Sequence, residues 1–511
     1  MAESRINNSI KNTVIALVEQ GVYSVFSFLC RTVFIYTLGK AYLGLTGLFS
    51  DILSLLSLVE LGVGTAIIFS MYKPAANKEY RTLAALLNLY KSVYLTIGIV
   101  ISVIGICITP FLDFFIADIP DLPELPLIYL LYLLNTSVSY FFVYKKSILI
   151  VNQRSYISSI IYIVVTVFQN TLQMVFLFFT HNFIVYLMIQ VCCTFANNLA
   201  ISLYVSKYYS YLGRYKNVTV DDDTRQKIYT NVKAMFLSKI SSAIVTSTDN
   251  LLISKFVSIV VLGLYSNYTL FTTLFRTIIS KLFEALTGSV GNLVALESEE
   301  NIYHSFRKIW FVNYWLAAFC CSGLFVLMNP FIKLWVGESF LLDQKIVLII
   351  CLNLYLRLIR NTCLTFIDAY GLFAELKIKC IAEAIINLSV SLIFVIPCNM
   401  GIFGVLLGTF VSNSLTNFWY EPFLLYKKRF HVSLRSYFIT FVYYFAVFCI
   451  GALALYYVCN MVLQMTTWMG FSIKLVICVF GINLFYVSVY HKFEEFHYFR
   501  NMILLRLLKN M

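Results

Sequence analysis

The chain has 511 residues, of which 60% are hydrophobic and only 12% charged, with mean hydropathy +0.82 and a formal charge of +13. So much apolar side chain is beyond the needs of a water-soluble enzyme, and the basic surplus is scattered through short connections rather than gathered in one stripe, which argues against nucleic-acid binding. The 13 Cys lie almost entirely in apolar runs, without CxxC or Cys/His spacing, and read as small core residues rather than metal ligands or disulfides.

Long apolar runs divide the chain into about 14 segments. Hydrocarbon cannot satisfy backbone N–H and C=O groups, so runs of roughly 20 such residues are expected to cross a bilayer as helices. In order they are Val14 to Leu38, Leu43 to Met71, Leu83 to Ile108, Leu125 to Val143, Ile157 to Phe179, Phe183 to Val205 and Ala234 to Phe256. The second seven are Val260 to Leu286, Ile309 to Met328, Ile346 to Ile367, Ile378 to Ile396, Ile402 to Leu425, Tyr437 to Val458 and Met469 to Tyr490. The segment before the first run has no cleavable small-residue site, so that run reads as a retained span.

With the N-terminus in the cytoplasm, about 26 Lys and Arg fall in inner segments, among them Lys377, Lys379, Arg307 and the tail from Lys492 to Lys509. About three, Lys40, Lys333 and Lys345, fall outside. The asymmetry predicts both termini inside. No outer segment is long enough for a catalytic domain; the longest, around Asp113 to Pro126, holds Asp118, Asp121 and Glu124. The longest inner segment, 207–233, is polar and reads as a hinge between an N-terminal lobe (1–206) and a C-terminal lobe (234–430), with two further spans and a basic tail at 431–511.

An internal repeat supports that division. Pro110-Phe111-Leu112-Asp113-Phe114-Phe115 follows the third span and Pro330-Phe331-Ile332-Lys333-Leu334-Trp335 the ninth, while Leu43-Gly44-Leu45 and Leu262-Gly263-Leu264 open the second and eighth. Repeats six spans apart share an orientation, which predicts two lobes around a cavity.

Several charges fall at membrane depth, where each costs about 2.5 to 3.5 kcal/mol at the bilayer centre. Lys91, Lys239, Lys255 and Lys474 lie near span ends and are expected to snorkel. Polar groups at this depth follow helical spacing: Gln20, Ser24, Ser27 and Arg31 on the first span; Lys239, Ser242, Thr246 and Asp249 on the seventh; Arg276, Ser280 and Glu284 on the eighth; Arg357, Arg360, Asn361 and Asp368 on the tenth. Arg31, Arg276, Arg357 and Arg360 are expected to line a basic chamber suited to a polyanionic head group such as pyrophosphate. Each guanidinium-to-phosphate contact is worth about 3 kcal/mol at an effective dielectric near 20. The alternative for any one of them is a pair that only holds helices together, as Lys281 with Glu284. No GxxxxGK[ST] loop, GxSxG elbow or His metal spacing occurs, so neither catalysis nor a cofactor is expected.

Arg31 with Tyr36-Thr37-Leu38-Gly39, Tyr42-Leu43-Gly44-Leu45, Leu48-Phe49-Ser50, Val59-Glu60-Leu61-Gly62-Val63-Gly64-Thr65-Ala66 and Met71-Tyr72-Lys73-Pro74 resemble the O-antigen (Wzx-type) polysaccharide flippases of the multidrug/oligosaccharidyl-lipid/polysaccharide exporter (MOP) superfamily. These words cover the first two spans; the span count, hinge and repeat extend the likeness. The resemblance implies an all-α integral membrane protein with two six-helix, MATE-like lobes plus two trailing helices in a bacterial inner membrane. It implies alternating access and export of an undecaprenyl-pyrophosphate-linked oligosaccharide for O-antigen, capsule or exopolysaccharide synthesis, in company with a polymerase. The basic cavity is carried over to Arg31, Arg276, Arg357 and Arg360. Asp249, Asp368 and Glu60 become candidates for coupling to protons or sodium. Competing readings are a lipid II flippase, a cation or drug antiporter of the same fold, which would want acids in its cavity, and a membrane glycosyltransferase or polymerase.

Overall fold

A computed structural model describes the backbone of residues 2–60, 62–116, 124–215, 218–372, 375–462 and 466–509. It describes the side chains of those ranges except 2–10, 59, 227, 231, 233–246, 461–462 and 502–509. All the regular structure among the described residues is helical, and ten helices are long and apolar enough to cross a membrane. The protein is a multi-pass membrane protein. The chain forms two compact units, Met1–Gly263 and Leu264–Met511.

The first unit contains α1 (Ala2–Leu38), α2 (Lys40–Leu56), α3 (Val63–Asn77), α4 (Tyr80–Ile108), α5 (Leu125–Val151), α6 (Ser155–Thr180), α7 (Phe183–Tyr208) and α8 (Asp222–Phe256). The second expected span is not one helix. Between α2 and α3 the chain makes a 3-10 turn over Ser57–Glu60 and passes through Gly62 at φ +86°, a left-handed conformation that glycine adopts without steric cost. The 207–233 segment is shorter as a connection than its polarity suggests. A 3-10 turn over Ser210–Tyr215 follows α7, and α8 starts at Asp222, where the Asp221 carboxylate accepts the Thr224 N–H at 2.9 Å. Asn88 on α4 donates to the Tyr215 and Val218 carbonyls and ties the connection down. Asp118 and Asp121 lie outside the described residues, as do the side chains of Lys239, Ser242 and Thr246.

The first turn of α9 (Ile259–Leu296) belongs to this unit and meets the first turn of α2. A Cβ on Gly44 would sit 2.0 Å from the Ile259 carbonyl oxygen, and one on Gly263 would sit 2.2 Å from the Lys40 carbonyl oxygen. Lys40 and Gly44 correspond to Ile259 and Gly263 in the repeat, so the contact is reciprocal, as about a local twofold. The other repeated word diverges locally. The helix before Pro110 ends and gives way to a 3-10 turn over Thr109–Phe115, whereas α10 (Glu299–Val336) continues through Pro330.

The second unit is built around α10 and α11 (Gln344–Tyr370), in each of which 67% of the apolar stretch is buried. Helices α13 (Gly401–Leu415) and α14 (Asn417–Leu425) pack beside α11, and α12 (Leu376–Val395) packs on α13; the twelfth expected span is thus also interrupted, at Thr416. The trailing helices α15 (Leu434–Tyr457) and α16 (Trp468–Tyr490) pack against α10, α15 through stacked rings, Trp310 with Tyr437 at 4.5 Å and Tyr314 with Tyr444 at 4.2 Å between centroids, and α16 edge-on through Tyr490 against Tyr314 at 5.7 Å. Tyr490 donates to the Tyr314 hydroxyl at 2.9 Å. Helix α17 (Glu494–Lys509) follows, and its buried Glu495 pairs at 2.6 Å with Arg307, which lies on α10.

Candidate functional site

The helix break before α3 positions Glu60. Its carboxylate accepts a hydrogen bond from the Tyr94 hydroxyl, and the Tyr140 hydroxyl lies beside it and Ser57. Gly64, one turn on, makes the cage possible, because a Cβ there would stand 2.2 Å from the Tyr94 oxygen and 3.0 Å from that of Tyr90. Glu60, Tyr94 and Tyr140 line a cavity of about 180 Å³, together with Ser139, Lys146, Asn197 and Asn198. An ionisable carboxylate in a hydroxyl cage, open to a cavity and seated at a discontinuous helix, has the chemistry to take up and release a proton or to hold a small cation.

A second cavity, of about 300 Å³, lies among α1, α6 and α7. It presents the amides of Gln169, Asn170, Gln173, Gln190 and Asn197. The hydroxyls of Tyr23, Ser27, Tyr162, Thr166, Tyr186 and Thr194 complete its polar lining. Asn197 borders both cavities, and its buried Oδ1 has no hydrogen-bond partner. Arg31 lies near Tyr186, at the edge of this polar surface.

Of the other acids in the first unit, Asp51 on α2 accepts from Asn250 on α8 at 2.6 Å and from Ser247. Asp249 is half-buried on α8, next to that contact in sequence.

In the second unit the charges form a cluster. Arg360 donates through Nε and Nη2 to the two carboxylate oxygens of Glu421 at 3.0 and 2.6 Å and through Nη1 to Asn413 at 3.3 Å. Lys379 binds Glu421 at 3.0 Å and Glu383 at 3.6 Å, and Asn417 joins Glu383 to Asn413 at 2.6 and 2.7 Å. Two cations face two carboxylates, so the cluster is electrically balanced, and Glu421 is fully buried.

Of the four expected pyrophosphate ligands, Arg360 is thus engaged by Glu421, one turn along α11 from half-buried Arg357. Arg276 is half-buried on α9 and makes no ion pair among the described residues. Asp368 is exposed in the last turn of α11, two turns beyond Arg360, and takes no part in the cluster. The Lys281–Glu284 pair forms at 2.7 Å, both side chains exposed. Two expectations are corrected. Lys379 is a buried residue of α12 rather than an inner-loop cation, because Glu421 and Glu383 draw it in. Lys474 is 5% exposed and donates to Asn460 at 3.5 Å instead of reaching out along the span.

Sequence reasoning also passed over Glu421 and the amide cavity, though both leave a signal. Asn413, Asn417 and Glu421 fall every four residues in an apolar run. Tyr162, Thr166, Gln169 and Gln173 on α6, and Tyr186, Gln190, Cys193 and Asn197 on α7, have the i, i+4, i+7, i+11 spacing of Gln20 to Arg31 on α1. They stay hidden when only charges are counted.

Neither a protein-family model nor a curated protein matches the sequence. Among solved structures, the chain is similar to the lipid II flippase MurJ in an inward closed conformation, with TM-score 0.64, 15% identity, and 94% of this chain and 99% of that one covered. It is similar to an inward-facing multidrug resistance MATE family transporter of the MOP superfamily, with TM-score 0.61, 14% identity and coverage of 80% and 97%. A Vibrio cholerae MATE transporter matches with TM-score 0.56, 15% identity and coverage of 83% and 98%. The chain has the fold of these transporters.

Proposed function

We propose that the chain is a flippase for lipid-linked oligosaccharides, moving an undecaprenyl-pyrophosphate-linked glycan from the cytoplasmic to the outer leaflet of a bacterial inner membrane, with both termini in the cytoplasm. The observation that carries the reading is the likeness of fold to a lipid II flippase over 94% of this chain. Arg31, Arg276, Arg357 and Arg360 at membrane depth support it, as the groups that would receive a pyrophosphate; Arg360 would do so from within its pairing to Glu421. Alternating access between lobes 1–206 and 234–430, about the connection at 207–233, would carry the head group while the lipid tail stays in the bilayer.

Of the coupling candidates Glu60, Asp249 and Asp368, Glu60 is the strongest, since it combines a cavity, a hydroxyl cage and a helix break. A cation or drug antiporter is the second reading, favoured by the MATE folds among the neighbours. Against it, the cavity among α1, α6 and α7 has no carboxylate among its 13 lining residues. A lipid II substrate is separated from other glycans by depletion: loss of cell-wall synthesis points to lipid II, loss of a surface glycan alone to the Wzx-type reading.

The test is leaflet exchange of a fluorescent polyprenyl-pyrophosphoryl oligosaccharide in proteoliposomes, read with an external quencher. Protein-dependent exchange that falls in Arg276→Ala supports the proposal. No exchange with several glycans under imposed proton and sodium gradients, together with export of a cationic dye, replaces it with the antiporter.

A further inference from the structure

We propose that the 300 Å³ cavity among α1, α6 and α7 is a sugar-recognition site that binds the neutral, polyhydroxylated part of the cargo. The inference rests on the flippase reading for its cargo but on the cavity for its chemistry. None of the 13 lining residues is Asp, Glu, Lys or Arg, so the wall itself is neutral, with Arg31 and Glu19 standing only at its edges beside Tyr186 and Tyr162. A lipid tail would leave the row of amides and hydroxyls unpaired, at a cost that mounts with every group.

Sugar hydroxyls donate and accept at once, and a side-chain amide offers a donor and an acceptor side by side, so five amides around one space match a ring of hydroxyls. The tyrosine rings at the same wall supply flat apolar faces for the C–H side of a sugar ring. Part of the polar capacity is unspent: the buried Asn197 Oδ1 has no partner, and Gln190 and Thr194 make no internal hydrogen bond among the described residues. The volume lies at the lower end of small-molecule sites, enough for a short segment of a glycan rather than a whole repeat unit. Arg31 beside Tyr186 puts a cation next to this neutral surface, the order in which pyrophosphate and sugar follow one another along a lipid-linked glycan.

The experiment is saturation-transfer NMR on the full chain in nanodiscs with free trisaccharides of hexose, N-acetylhexosamine and deoxyhexose, comparing wild type with Gln190→Leu/Thr194→Val. At least one trisaccharide is expected to give a signal that falls fivefold or more in the variant, at unchanged Tm. The matched polyprenyl-pyrophosphoryl trisaccharide should then lose its transport advantage over sugar-free polyprenyl pyrophosphate. No signal from any trisaccharide, meaning a cavity filled by solvent only, overturns the proposal. So does a signal equal in wild type and variant, or displacement by a cationic dye alone. Sugar binding without transport of any pyrophosphate lipid would leave this site standing and remove the flippase reading instead.

Discussion

Replacing Glu421 with Ala would leave Arg360 and Lys379 facing each other with only Glu383, at 3.6 Å from Lys379, to offset them. At about 3 Å and an effective dielectric near 20, each lost contact is worth roughly 5 kcal/mol of Coulomb energy. Relief of the buried carboxylate's own desolvation offsets part of this, which leaves about 3 to 5 kcal/mol, the usual loss when one partner of a buried ion pair is removed. For a unit of about 250 residues that is roughly a ten-degree fall in Tm. The assay is thermal unfolding of the purified chain, followed by its tryptophans, all five of which lie in the second unit. The companion Lys379→Met/Glu421→Gln restores the balance between Arg360 and Glu383 and is expected to recover at least half of the loss, a coupling that a double-mutant cycle reads directly. An unchanged Tm for Glu421→Ala, or a double variant less stable than Glu421→Gln alone, would refute the account of the cluster as a balanced set.

Gly44→Ala and Gly263→Ala each push a Cβ against a backbone carbonyl that cannot swing away, and each is expected to cost about 1 to 3 kcal/mol, whereas Gly21→Ala, with open space around it, costs nothing measurable by the same melt. Tyr94→Phe removes the hydrogen bond to the Glu60 carboxylate, and a loss of about 1.5 to 3 kcal/mol is expected in unfolding. Glu60→Gln is predicted to make leaflet exchange indifferent to an imposed proton or sodium gradient, and Asp368→Asn to leave it responsive; equal behaviour of the two in the proteoliposome assay would remove Glu60 from coupling.

The fold was legible in the sequence because hydrocarbon permits one local answer, and a run such as Phe183 to Val205 can be little other than the helix found there. What escaped is where helices stop within an apolar run. At Glu60 the break carries contacts to residues distant in sequence, Tyr94 and Tyr140, and past the break at Thr416 the short helix α14 presents Glu421 to Arg360 and Lys379. Hydropathy cannot register them. Charge counting found Arg360 but assigned Lys379 to water, since nothing local to Lys379 announces a carboxylate 42 residues away. The neutral cavity was legible in principle from the spacing on α1, α6 and α7. It passed unread because amides barely disturb an apolar average.

The glycine contact between the first turns of α2 and α9 has a mechanical side. With backbone against backbone and no side chain between to compress, these turns have almost no room to approach further, and they shift together or slide. The first turns of α2 and α9 thus act as one rigid joint inside the first unit: a displacement of Lys40–Gly44 reaches Ile259–Gly263 undamped, because no side chain stands between the two backbones to take it up.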